Sequence, residues 1–172
     1  CNSGCPVLIN LAGTSISSSD SADSYKVKLA GDEEFRFGVA GAWLLAPHRA
    51  GAHNWEGPGR LTAVSALQSL DAVATALERP ADVARVLCAG HSMGGHGAWL
   101  LAVTFRDQLL GLVSSASWLR KDQYADSNKV FLNDVSVPDV EPALAVILRS
   151  AESEHDADAH ASTVAGGLPV LA

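Results

Sequence analysis

Apolar positions along this chain follow two rhythms. Short, nearly continuous apolar runs stand at residues 6–13 (PVLINLAG), 41–47 (GAWLLAP), 83–90 (VARVLCAG), 109–117 (LLGLVSSAS) and 168–172 (LPVLA). Runs of this length, bounded by Gly or Pro, read as strands buried on both faces, the kind that parallel sheets contain. Between the second and third runs the period changes. Leu61, Val64, Leu67, Leu70, Val73, Ala74 and Leu77 recur at steps of three and four, and Pro80 follows as a stop. That spacing predicts a helix carrying one apolar face. A second helix is expected from Gly94 or Gly95 to about Phe105, and a third near residues 139–152, with Asp139 as N-cap and Pro142 in its first turn.

Apolar strands alternating with helices predict an α/β protein: a mostly parallel sheet with helices on both faces, since parallel strands need crossovers. Two polar, irregular stretches, 14–38 and 120–138, read as exposed connections, the first with a helical turn. No internal repeat is visible.

Composition narrows this picture. A length of 172 residues with 48% hydrophobic and 18% charged residues is that of one globular domain, spanning 1–172. The net charge of -7, without any Lys/Arg cluster, argues against a nucleic-acid partner. Every apolar run falls short of the roughly 20 residues a membrane helix needs. The chain opens on CNSGCPVLIN, with no methionine, basic leader or cleavage pattern before a strand that starts by Val7. It is therefore expected to begin inside a domain, which leaves room for a signal peptide upstream and leaves the compartment open. Cys1, Cys5 and Cys88 form neither a disulfide framework nor a C-x-x-C zinc site. Whether Cys1 and Cys5 pair stays open.

Candidate chemistry centres on Gly90-His91-Ser92-Met93-Gly94, a G-x-S-x-G placed between a predicted strand and a predicted helix. A serine on so sharp a turn sits in strained backbone, so small residues are needed two positions to either side. Its hydroxyl then projects above the carboxyl ends of the strands as a nucleophile. The backbone N–H of Met93 can point at a developing oxyanion, and the amino end of the following helix adds its dipole.

GHSMGGHGAW (90–99) resembles the nucleophile elbow of α/β-hydrolases, and more closely that of the prolyl oligopeptidase (S9) type of serine peptidases and allied esterases. WLLAPHRAGAHNWEGPG (43–59) stands where that type has an arginine- and glycine-rich loop after a strand. The resemblance covers most of residues 6–118. It implies the α/β-hydrolase fold, an acyl-enzyme on Ser92 and no metal or organic cofactor. It favours a serine-type peptidase, with a carboxylic-ester hydrolase as the alternative, because the fold does not determine the bond cut. The substrate would be a small peptide or ester. The resemblance also implies the second oxyanion donor. Where such hydrolases end a strand in His-Gly, this chain has Ala12-Gly13, and Thr14 supplies the backbone N–H.

The family's chain order, Ser then Asp or Glu then His, places the acid after the second strand beyond the elbow and the histidine after the next. That second strand is 168–172. The acid and histidine are thus expected beyond Ala172, in a chain incomplete at both ends whose 172 residues alone would be a poor catalyst. A rival set, His155, Asp156, Asp158 and His160, stands in AESEHDADAHAS. An acid and base two residues apart on one loop could hardly straddle the imidazole, and the spacing matches no standard metal motif. The stretch reads as a solvated acidic loop. His91 and His96 flank the elbow and are expected to pack or line a pocket. Arg49, His53, Asn54 and Trp55, at the carboxyl edge of the second strand, are candidate substrate-binding residues, since their guanidinium, amide and aromatic groups could hold a substrate carbonyl. A reading of another class, a hydrolase-like binding module without catalysis, is separated from the enzyme by whether Asp and then His follow downstream.

Overall fold

The computed structural model describes residues 4–31, 33–51, 53–120 and 141–172. Among these residues five strands form one sheet: β1 (Cys5–Leu11), β2 (Trp43–Leu45), β3 (Ala81–His91), β4 (Leu109–Ser115) and β5 (Val170–Leu171), in the order β2-β1-β3-β4-β5. Every pairing is parallel. The helices among the described residues are α1 (Ser18–Asp23), α2 (Pro58–Ala76), α3 (Met93–Thr104), α4 (Pro142–Ser153) and α5 (Ala161–Val164).

Strand alternation divides the sheet into two faces. Val7, Ile9 and Leu11 of β1, Val86 and Cys88 of β3 and Leu112 of β4 join Ala63 and Leu70 of α2 and Ala98, Leu101 and Ala102 of α3 in one buried cluster. Cys88 is a free thiol within it, and burial pushes its pKa well above the ordinary thiol range. The opposite face carries Asn10, whose amide donates to Ser21 Oγ at 2.7 Å and so holds α1 there. Ser17 caps α1, its hydroxyl accepting from the Asp20 N–H at 3.0 Å.

Three expectations from the sequence need correction. The buried stripe of α2 is Gly59, Ala63, Leu70 and Ala74, while Leu61, Val73 and Leu77 are 66%, 53% and 58% exposed. Small residues let this helix approach the sheet closely, so the side that packs is chosen by fit rather than by the count of large apolar residues. The cap of α4 is Glu141, which accepts from the Leu144 N–H at 3.0 Å, with Pro142 following; Asp139 lies outside the described residues. The stretch 155–164 is a packed 3-10 turn (Ala157–His160) leading into α5, with Ala157 and Val164 buried. Ala157 N–H donates to the Leu119 carbonyl at 2.7 Å, which docks the turn despite its acidic surface. Nearly all of the second polar connection, 121–138, and Cys1 also lie outside the described residues; Cys5 is disulfide-bonded.

Candidate active site

Strand β3 runs straight into helix α3 with only Ser92 between them. Ser92 has φ 55° and ψ -121°, a conformation L-residues rarely adopt and one that needs firm support from its surroundings. That support is visible. Its N–H donates to the Ser115 carbonyl at 2.8 Å, and its carbonyl accepts from the His96 N–H at 3.1 Å. The register pairs Gly90 with Ser114 and His91 with Ser115, so the elbow hangs from the end of β4.

The glycines around Ser92 answer to specific neighbours. A Cβ on Gly90 would meet the Gly94 backbone, and one on Gly94 would meet the Leu11 carbonyl. On Gly95 it would lie 2.7 Å from Ser117 Cβ and 2.9 Å from Ser114 Oγ. These approaches press the amino end of α3 against the exits of β1 and β4. Although Ser92 is the N-cap residue, its hydroxyl makes no capping bond, and among the described residues nothing hydrogen-bonds to Oγ.

The exit of β1 lies beside the elbow. A Cβ on Gly13 would stand 3.1 Å from the His91 carbonyl and 3.8 Å from Ser92 Cβ. Thr14 follows, exposed, with Oγ1 3.9 Å from Met93 Sδ. The two residues expected to donate to an oxyanion, Met93 and Thr14, are therefore in contact across the elbow. Arg49 reaches the same point, its Nη1 3.2 Å from Met93 Sδ.

The other candidates of that loop lie elsewhere. Asn54 and Trp55 are 6% and 1% exposed, too buried to form a substrate wall, and both have positive φ, 50° and 64°. Trp55 instead donates its indole N–H to the Ala12 carbonyl at 2.9 Å, one residue before Gly13. His53, half-buried, accepts from the Trp55 N–H at Nδ1 (3.2 Å). Its pKa is lowered, first by burial and then by the Arg49 cation, with Glu56 opposing.

For His96 the expectation is packing or lining a pocket. It is fully buried, stacks on Trp118 with ring centroids 4.7 Å apart, and brings Nδ1 to 3.2 Å from the Trp118 carbonyl and Nε2 to 3.3 Å from Glu56 Oε1. The signal for this was a polar residue in the glycine-rich first turn of a buried helix, which must find partners. His91 is exposed and lines a cavity of about 420 Å³ on the other sheet face, together with Gly13, Gly90 and Ser115. Within the rival set's stretch, the Ala157–His160 turn is tied to the Leu119 carbonyl. Asp158 lies 4.0 Å from Arg120, and His160 is exposed. No three His, Cys, Asp or Glu side chains come together as a metal group among the described residues.

The family described as "Putative esterase" matches residues 22–165, most of the chain and all of the elbow. The chain belongs to this esterase family. Similar solved structures include a fluorophosphonate-binding serine hydrolase of Staphylococcus aureus, substrate bound, at 18% identity and TM-score 0.44, covering 74% of this chain and 46% of that one. An S-formylglutathione hydrolase of Agrobacterium tumefaciens matches at 19% identity and TM-score 0.46, covering 75% and 52%. The S-formylglutathione hydrolase of Staphylococcus aureus, an apoenzyme, matches at 16% identity and TM-score 0.46, covering 92% and 56%. The esterase-family chain thus spans about half the length of these structures. No curated protein matches it.

The family match sits with the ester-hydrolase alternative and gives no support to the prolyl oligopeptidase type suggested by the elbow and the arginine-glycine loop. The elbow is common ground between the two, whereas the match runs over residues 22–165. No helix among the described residues is long and apolar enough to cross a membrane.

Proposed function

We propose that this chain supplies the nucleophile and oxyanion site of a serine esterase that hydrolyses small carboxylic esters through an acyl-enzyme on Ser92. In this reading Ser92 Oγ attacks the ester carbonyl, and the N–H groups of Met93 and Thr14 stabilise the oxyanion of the tetrahedral intermediate. The alcohol then leaves, and water releases the acid from the acyl-serine. The triad's acid and histidine are expected to come from outside these residues, and no metal or cofactor enters the scheme.

The observation that carries this reading is the strained Ser92, at φ 55° between β3 and α3, held in a chain of an esterase family. A backbone of this kind persists only where its surroundings over-determine it, and such sites cluster at catalytic centres.

The test uses the full-length protein. A fluorophosphonate probe is expected to label Ser92, and p-nitrophenyl esters of short acids to be hydrolysed, with Ser92→Ala lowering turnover by a factor on the order of 10⁶. Faster cleavage of peptide anilides than of esters would restore the peptidase reading. Absence of both labelling and hydrolysis would leave the non-catalytic binding module.

A further inference from the structure

His96, Glu56 and Trp55 form a brace that joins the two sides of the elbow. The His96 ring is fixed on three sides: Trp118 stacks on it, the Trp118 carbonyl faces Nδ1, and Glu56 Oε1 faces Nε2. A carbonyl oxygen can only accept, so Nδ1 carries a hydrogen, and Nε2 and the Glu56 carboxyl share the other hydrogen bond. Glu56 immediately follows Trp55, whose indole holds the Ala12 carbonyl. Trp55 lies on α3 because Gly97 has no side chain; a Cβ there would be 2.5 Å from Trp55 Cβ.

The contacts close into a circuit. From Met93 it follows α3 to His96, crosses to Glu56 and Trp55, crosses again to Ala12, and follows the chain to Thr14, which touches Met93. Asn54 and Trp55 both sit at positive φ, so the turn presenting these side chains is strained and depends on its contacts. The half of the motif after the serine, Gly95-His96-Gly97, is thereby accounted for: each residue receives a different neighbour.

We propose that His96 is a positioning residue, acting through Glu56 and Trp55 to set the separation of the Met93 and Thr14 N–H groups. The inference rests on the esterase reading of Ser92. Removing one link lets the β1 exit drift from the elbow, and misplacement by about 1 Å can cost on the order of 10²-fold in rate.

In the full-length protein, Trp55→Phe deletes the indole donor and keeps a ring against Gly97, while Glu56→Ala deletes the partner of Nε2. Each is expected to lower kcat for a p-nitrophenyl ester about tenfold or more with KM changed less than about twofold, and to slow fluorophosphonate labelling in parallel. Glu56→Gln keeps a hydrogen-bonding group opposite His96 and is expected to recover most of the loss. Unchanged kcat in Trp55→Phe, whatever its melting temperature, overturns the proposal, as does a loss confined to KM or a Glu56→Gln variant as slow as Glu56→Ala. Should Glu56→Ala not fold, Trp55→Phe and Glu56→Gln decide the matter, with kcat retained in the Gln variant and lost in the Phe variant as the supporting result. A wild-type protein that neither takes the probe nor hydrolyses esters defeats the esterase reading itself, so the two failures are told apart.

Discussion

Gly94 faces the carbonyl of Leu11 so closely that no methyl group fits between them. The obstruction is backbone on both sides, which no rotamer change relieves. Gly94→Ala is therefore expected to push α3 away from β1, at a cost of about 3 kcal/mol or more, the upper range for overpacking. Urea unfolding measures this, and a loss under about 1 kcal/mol would mean that the helix can shift and that the contact is not what holds the elbow.

Ser92 itself stores strain. At φ 55° and ψ -121° a side chain costs about 1–3 kcal/mol, which glycine escapes, although glycine gives back about 0.5–1 kcal/mol in chain entropy. Ser92→Gly is expected to be more stable than the wild type by about 1 kcal/mol while losing all probe labelling. A lower melting temperature for this variant would show that the serine conformation is not strained.

Two leucines on α2 distinguish the buried stripe from the apolar count. Leu70 is 8% exposed and Leu61 is 66% exposed. Leu70→Ala is expected to cost about 2–5 kcal/mol, and Leu61→Ala to stay within about 0.5 kcal/mol. Equal losses in denaturant midpoint would place the packing face elsewhere.

His53 gives a pH signature. Its pKa is lowered by burial and by Arg49, and the Trp55 N–H bond to Nδ1 requires the neutral ring. The unfolded chain therefore takes up this proton first as pH falls below about 6.5, so the site's stability declines from there through the folded pKa and levels off below it. Because the ring is partly exposed the effect is small. NMR titration should put the His53 midpoint below that of a free histidine, and Arg49→Ala should move it upward; an ordinary midpoint in the wild type would contradict the geometry.

Much of this molecule was legible in one dimension. Each of the five apolar runs overlaps one of the described strands, and in β1 the reason is burial on both faces, a property that local sequence carries, whereas β2 is half-buried and Val170 and Leu171 of β5 are exposed. The elbow was equally legible, since G-x-S-x-G with a second glycine records two steric constraints, now seen as the Gly90–Gly94 and Gly94–Leu11 approaches. Periodicity also located α2, but not its inner side, because burial there follows the small residues Gly59, Ala63 and Ala74.

What tertiary structure alone decided is which polar groups meet. Trp55 looked like a pocket wall and is a buried brace on Ala12; His96 looked incidental and joins Glu56 to Trp118; Arg49 reached the elbow as a neighbour of Met93. These partners are separated by 22 to 44 residues along the chain. Composition and spacing describe what each residue brings, but a hydrogen bond also needs a second group at about 3 Å, and only the folded sheet brings them together.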